Sequence, residues 1–214
     1  MNISYDELKA LAREKRQQYG VATRKLGLTK VREIYRGEGV TIDYMKMSSK
    51  IRAIYMCDDG DPSVAVNKQL PNVPKLFSLV HELKHHFVDR EEIERGGMKC
   101  GDYNANRRIE IGAEIFAAEF IYPEAEFLED ATNYGLKPMA LVAEDIVRFR
   151  KSCEATISYR FLLKRLERFG FISEGQFSNV QFQKLEEEVF GVPIYKQDWF
   201  KAQRARRALW SGRN

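Results

Sequence analysis

The twelve residues "SLVHELKHHFVD", Ser78 to Asp89, contain all three histidines of a 214-residue chain: His81, His85 and His86. Apolar side chains recur around them. Leu76, Leu79, Val80, Leu83 and Phe87 follow the helical period, which predicts a helix from Pro74 with a core-facing stripe through the histidine cluster. On a helix, positions i and i+4 project from one face a turn apart, so His81 and His85 can converge on one ion. Glu82 lies about 100° round an ideal helix from His81. That is near enough to touch a ligand of the ion without binding it. The spelling is H-E-x-x-H. Zinc held by two imidazoles and a third protein group keeps a position for water and lowers that water's pKa. Glu82 is then the candidate general base, taking the proton as water attacks a carbonyl and passing it to the leaving amine. At ordinary His and Glu frequencies roughly 0.005 accidental matches are expected in a chain this long, so coincidence is a poor account. His86, at i+5 from His81, points off the shared face and is expected to pack or to support a ligand.

With no histidine left, the third ligand must be a carboxylate or a thiolate. Asp89, Glu91, Glu92 and Glu94 are too near in sequence to return to the same ion from a continuing helix. Cys100 and Asp102 fall in "EIERGGMKCGDYNANR", whose three glycines and polar residues read as a loop. Glu110 opens the strongly helical "RIEIGAEIFAAEFIYP" and shares a face with Ala113, Glu114 and Ala117. Small residues on that face let a second helix come close, which a bridging ligand requires. Glu114, one turn on, is placed to accept a hydrogen bond from the far nitrogen of a liganding histidine.

Around this centre the pattern changes. Ser4 and Glu7 form a capping box, and Leu8, Leu11 and Ala12 predict a first helix from Tyr5 to Tyr19. A second helix is expected near Lys30–Tyr35. "VTIDYM", "IRAIYMC" and "SVAVNK" then read as three strands of a small, mostly antiparallel sheet. Within the last, Ser63, Val64, Ala65 and Val66 are either a core strand or an edge on which a substrate chain adds by backbone pairing. Beyond Pro123, "KPMALVAEDIVRFRKS" and "ATISYRFLLKRLERFG" are amphipathic helices, and "QFQKLEEEVFG" is one more before an extended "VPIYKQDWF". The expected division is 1–136 and 137–214, the second part helical and ending in a basic tail.

At 44% apolar content the chain can bury a real core. Lys plus Arg exceed Asp plus Glu by only 35 to 31, but "KAQRARRALWSGRN" carries five basic side chains and no acid. That tail is a solvated helix end or a nucleic-acid contact. Three scattered cysteines without a CxxC pair fit a reducing compartment rather than a disulfide framework. No signal-peptide core and no run of eighteen apolar residues occurs, so the expectation is a cytoplasmic protein without a membrane span.

"FSLVHELKHH" followed by "EIGAEIFAAEFIYP" resembles the ImmA/IrrE family of zinc metallopeptidases. The second motif of that family reads approximately E-x-x-A-[ND]-x-F-A-x-x-[LF]-[LI]-x-P, matched here by Glu110, Ala113, Phe116, Ala117, Phe120, Ile121 and Pro123. Position 114 departs from it, with the longer Glu where the family has Asn or Asp. The likeness runs over roughly residues 1–175, including "SCEATISYRFLLKRLERFGFIS", which is similar to the family's helical segment after the peptidase core and makes a helix-turn-helix-like C-terminal region the expectation. It implies an α+β, zincin-like fold of gluzincin type, with His81, His85 and Glu110 as zinc ligands and Glu82 as base. It also implies that the partner is a helix-turn-helix DNA-binding repressor, cut to relieve repression in a prophage, mobile element or stress locus. Manganese or iron would also suit imidazole and carboxylate ligands. Two other functions stay open on the sequence: a non-catalytic metal-containing module that binds DNA or a partner protein, and a toxin-like peptidase with another intracellular target.

Overall fold

The Glu7 N–H donates to Ser4 Oγ at 3.2 Å and the Ser4 N–H to Glu7 Oε2 at 2.7 Å, so the capping box closes and α1 (Tyr5–Gln18) begins where the sequence signals it. The computed structural model describes residues 3–22, 24–96 and 107–191, with the single positions 196 and 204. The segments expected to be extended and basic, 192–214, therefore lie outside the described residues but for those two positions. The chain separates into two units, residues 1–128 with 155–158, and residues 129–154 with 159–214. The division expected from the sequence lies at 136, whereas the first boundary between these units falls after Leu128 and residues 155–158 return to the first unit.

In the first unit α1 buries Leu8 and Ala12 and packs on α5 (Arg107–Ile121). Three basic residues of α1 reach acids near the end of α5 and beyond it: Lys9 to Glu124 at 3.0 Å, Arg13 to Glu119 at 2.9 Å and Arg16 to Glu126 at 3.1 Å. Gly112 lets the two helices approach, since a Cβ there would stand 2.8 Å from Leu8 Cδ1. α2 (Leu28–Gly37) buries Val31, Ile34 and Tyr35, and the Tyr35 hydroxyl donates to the Leu79 carbonyl at 2.7 Å. That bond ties α2 to α3 (Asn72–Lys84), the helix that carries His81 and Glu82.

The sheet is mixed rather than mostly antiparallel. Its strands β1 (Thr41–Met45), β2 (Ala53–Asp58) and β3 (Asp61–Asn67) lie in the order β1-β3-β2, with β2 antiparallel and β1 parallel to β3. The physical reason lies in β3. Val64, Ala65 and Val66 are all buried, so β3 is the interior strand. Asp59 and Gly60, both at positive φ, close the β2–β3 hairpin and put β2 on one side. β1 then takes the other side. Ser63, Val64, Ala65 and Val66 consequently pair with Thr41–Tyr44 of β1 and with Met56–Ala53 of β2. The reading of these four residues as an edge for an added substrate strand is corrected: both sides of β3 are taken.

After α3 the helix widens into a π-turn, His85–Asp89, and resumes as α4 (Arg90–Glu94). α3 packs on α5. α6 (Glu124–Tyr134) is an element absent from the periodicity reading, which took Pro123 only as the end of α5. The Phe127 N–H donates to the Pro123 carbonyl at 3.0 Å, so the same proline opens α6, where its fixed φ is tolerated. In the second unit α7 (Ala143–Ser152), α8 (Tyr159–Arg168) and α9 (Phe182–Phe190) form the helical part. Tyr159 stacks on Phe182 with ring centroids 4.7 Å apart, and Gly191, at φ 65°, ends α9. Among the described residues no helix is long and apolar enough to cross a membrane.

Candidate metal centre

Helix α3 and the first residue of the π-turn carry His81 and His85, whose Nε2 atoms face each other at 3.4 Å. Glu110, in the first turn of α5, brings its Oε2 to 3.1 Å from His81 Nε2 and its Oε1 to 3.9 Å from His85 Nε2. One donor atom from each of the three residues can be chosen so that all lie within 4.8 Å of one another. Donors at zinc-bond lengths on a tetrahedral ion stand about 3.3 Å apart, so the set fits a small divalent cation.

The chemistry of the donors agrees. His85 Nδ1 lies 2.7 Å from Asp89 Oδ2, and a carboxylate oxygen can only accept, so the ring proton sits on Nδ1. The neutral ring then presents its Nε2 lone pair to the other donors. Burial alone would push His81 down, but the hydrogen bond to Glu110 and the charges of Glu82, Glu110 and Glu114 outweigh it and raise its pKa above the usual imidazole value. A bound cation would replace the proton that this acidic surrounding favours. Asp89 is also shifted: burial pushes it up, while the bonds and charges of His85 and Lys84 bring it below the usual carboxylate value.

One of the two supporting residues is not placed as the sequence led us to expect. The carboxylate that orients His85 is Asp89, not Glu114. Glu114 contributes its charge, which favours the His81 cation. Asp89 stands i+4 from His85, a spacing at which helical side chains meet, and the π-turn lets the same carboxylate also reach Lys84 at i+5. His86 is buried and bonds none of the three donor residues: its Nδ1 lies 3.0 Å from the Tyr55 hydroxyl and its Nε2 3.3 Å from Glu38 Oε2. Burial pushes its pKa down, against the opposing pull of Glu38. Tyr55 in turn holds Glu82, whose Oε2 accepts the Tyr55 backbone N–H at 2.9 Å. The candidate base is thus buried beside the donor trio and tethered to β2. Tyr55 is a further functional residue that sequence reasoning missed, since nothing local marks the strand N–H that meets it.

Of the other acids considered as ligands, Glu119 is buried in ion pairing with Arg13 and accepts the Glu124 N–H at 3.0 Å. Glu91, Glu92 and Glu94 stand exposed on α4. Cys100 and Asp102 lie outside the described residues.

No protein among those with curated functions matches the chain. The family model described as the IrrE N-terminal-like domain, a peptidase family, matches residues 36–162. That span is more than half of the chain and runs from the end of α2 through the sheet, both ligand-bearing helices and into α8. The α+β architecture, with its small mixed sheet beside an H-E-x-x-H helix, agrees with the zincin-like fold of that family. The chain belongs to the IrrE N-terminal-like, or ImmA/IrrE, family of metallopeptidases.

Proposed function

We propose that the protein is a zinc-dependent endopeptidase that cuts a helix-turn-helix DNA-binding repressor and so relieves repression. The observation that carries the hydrolytic part is the convergence of His81, His85 and Glu110 within 4.8 Å, with Glu82 on the next position of the same helix. Those three residues would hold the ion. Two imidazoles and one carboxylate are a set well suited to zinc, which supplies Lewis acidity and lowers the pKa of a coordinated water.

The protein's own part is positioning and proton transfer. Asp89 orients His85 through Nδ1, and the Tyr55 N–H anchors Glu82 Oε2 at 2.9 Å so that the carboxylate keeps its place beside the trio. Glu82 takes the proton released as water adds to the scissile carbonyl. It then gives that proton to the leaving amine, which departs neutral while the new carboxyl keeps the water oxygen. The repressor as substrate is supported by the family to which the chain belongs.

The test is direct. Wild-type protein and Glu82→Gln, both loaded with zinc, are incubated with a helix-turn-helix repressor encoded beside the gene, and the fragments are weighed by mass spectrometry. The wild type should yield two fragments from one cut, and Glu82→Gln should bind zinc equally but yield none. Cutting by zinc-loaded Glu82→Gln at the wild-type rate would overturn the role given to Glu82. An uncut repressor, with other proteins cleaved, would overturn the substrate.

A further inference from the structure

Lys84 sits between His81 and His85 in "HELKH", yet it is among the most deeply buried side chains of the protein, 2% exposed. Its Nζ donates to Asp89 Oδ2 at 2.6 Å, and that same oxygen accepts from His85 Nδ1 at 2.7 Å. A buried ammonium is costly unless paired. Here its partner is the carboxylate that orients a metal-binding histidine.

The π-turn makes the sharing possible. In an α-helix, residues five apart point about 140° away from each other, at 3.6 residues per turn. In an i→i+5 turn they come to nearly one face. Asp89 is i+4 from His85 and i+5 from Lys84, and the π-turn His85–Asp89 lets one carboxylate oxygen meet both. On α5 the lysine stem runs beside Gly112: a Cβ there would stand 3.8 Å from Lys84 Cε, an ordinary packing contact. The lysine is therefore packed between the helix of the two histidines and the helix of Glu110.

We propose that Lys84 sets how tightly the site holds its ion, acting through Asp89 on His85 and lowering the affinity for a divalent cation. The inference rests on the metal-site reading above. Two physical effects act in the same direction. An oxygen that already accepts a charged hydrogen bond at 2.6 Å is a weaker acceptor for His85, so less negative charge reaches the Nε2 that faces the ion. The ammonium is also a buried positive charge close to the place of another cation, and burial strengthens that repulsion relative to water. A third effect opposes them, because Lys84 helps to keep the carboxylate in place. It is the smaller one. The His85–Asp89 bond joins residues four apart in one helical segment, so the backbone keeps it when the lysine is removed.

The experiment measures zinc affinity of the full chain by competition with a chromophoric chelator at one fixed pH. It compares wild type, Lys84→Met, Lys84→Arg and Asp89→Asn. Lys84→Met should bind zinc about 10-fold or more tightly, within the ~10–100-fold range that changes behind a ligand produce. Lys84→Arg keeps the charge and should stay near wild type, while Asp89→Asn should bind more weakly. In parallel, nitrogen-15 NMR of the metal-free proteins should show the His85 Nδ1–H proton further downfield in Lys84→Met, as its bond to Asp89 strengthens. Should Lys84→Met fail to fold, Lys84→Gln removes the same charge and takes its place in both measurements. Unchanged or weaker zinc binding by the folded, uncharged variant overturns the proposal, as does an unmoved Nδ1–H signal. A wild type that binds no zinc at all overturns the metal-site reading and this inference together, so the two failures are told apart.

Discussion

Tyr55 meets the site by two separate routes, its backbone N–H on Glu82 Oε2 at 2.9 Å and its hydroxyl on His86 Nδ1 at 3.0 Å. Replacing it by phenylalanine keeps the first and removes the second. Tyr55→Phe leaves the buried His86 without that bond and should cost about 1–3 kcal/mol in chemical denaturation. Zinc affinity should stay at the wild-type value, because neither group belongs to the donor trio. A large loss of zinc binding in a folded Tyr55→Phe would show that the strand holds the ligands and not only the base. At this scale the sequence is legible where spacing is local. His81, Glu82 and His85 follow from i, i+1 and i+4 on a helix. The bond of Lys84 to Asp89, five residues on, does not, because it depends on the local widening of the helix.

Among elements, α9 is held in the second unit by a small cluster. The Tyr159 hydroxyl donates to Glu186 Oε2 at 2.7 Å, Arg150 donates to the same oxygen at 3.2 Å, and the Arg150 guanidinium lies over the Tyr159 ring at 4.4 Å. Tyr159→Phe should keep the stacking on Phe182 and lose one bond, at about 1 kcal/mol in denaturant unfolding of this unit. Burial, and next the bond to Glu186, raise the Tyr159 phenol well above its ordinary value of 10.0. The sign follows directly. A group whose pKa is higher folded than unfolded contributes fully below the unfolded value and loses that contribution as pH rises through the folded one. Alkaline weakening of the second unit should therefore begin above about pH 10 and be reduced in Tyr159→Phe. Equal alkaline profiles for the two proteins would show that another group governs it. Elements were legible in the sequence where caps and periods coincide, as at Ser4 and Glu7 of α1 or Gly191 after α9. α6 was not, because Pro123 ends one helix and opens the next.

On the scale of the molecule, a metal held by the donor trio would join two helices of the first unit. His81 and His85 come from α3 and its π-turn, and Glu110 comes from α5. An ion bound only by the folded chain stabilises it by mass action, about 2.7 kcal/mol at a free concentration 100 times its dissociation constant. Saturating zinc should thus raise the thermal transition of the first unit and leave that of the second where it is. Chelation should reverse the shift. Glu110→Ala should abolish most of it; an unchanged zinc shift in that variant would remove Glu110 from the ligand set.

The chain's one-dimensional pattern was enough for the helix that carries the histidines, for the partner helix of Glu110 and for the family to which both motifs belong. These depend on spacing along one strand of backbone, and helical geometry converts spacing into direction whatever surrounds it. Tertiary structure alone decided the rest. It placed β3 in the middle of the sheet, because three consecutive buried residues and a tight hairpin leave β1 only the far side. It also turned Asp89 and the buried Lys84 toward each other behind His85. Strand order and the widening of a helix are set by what packs against them, and those neighbours lie far away in the sequence.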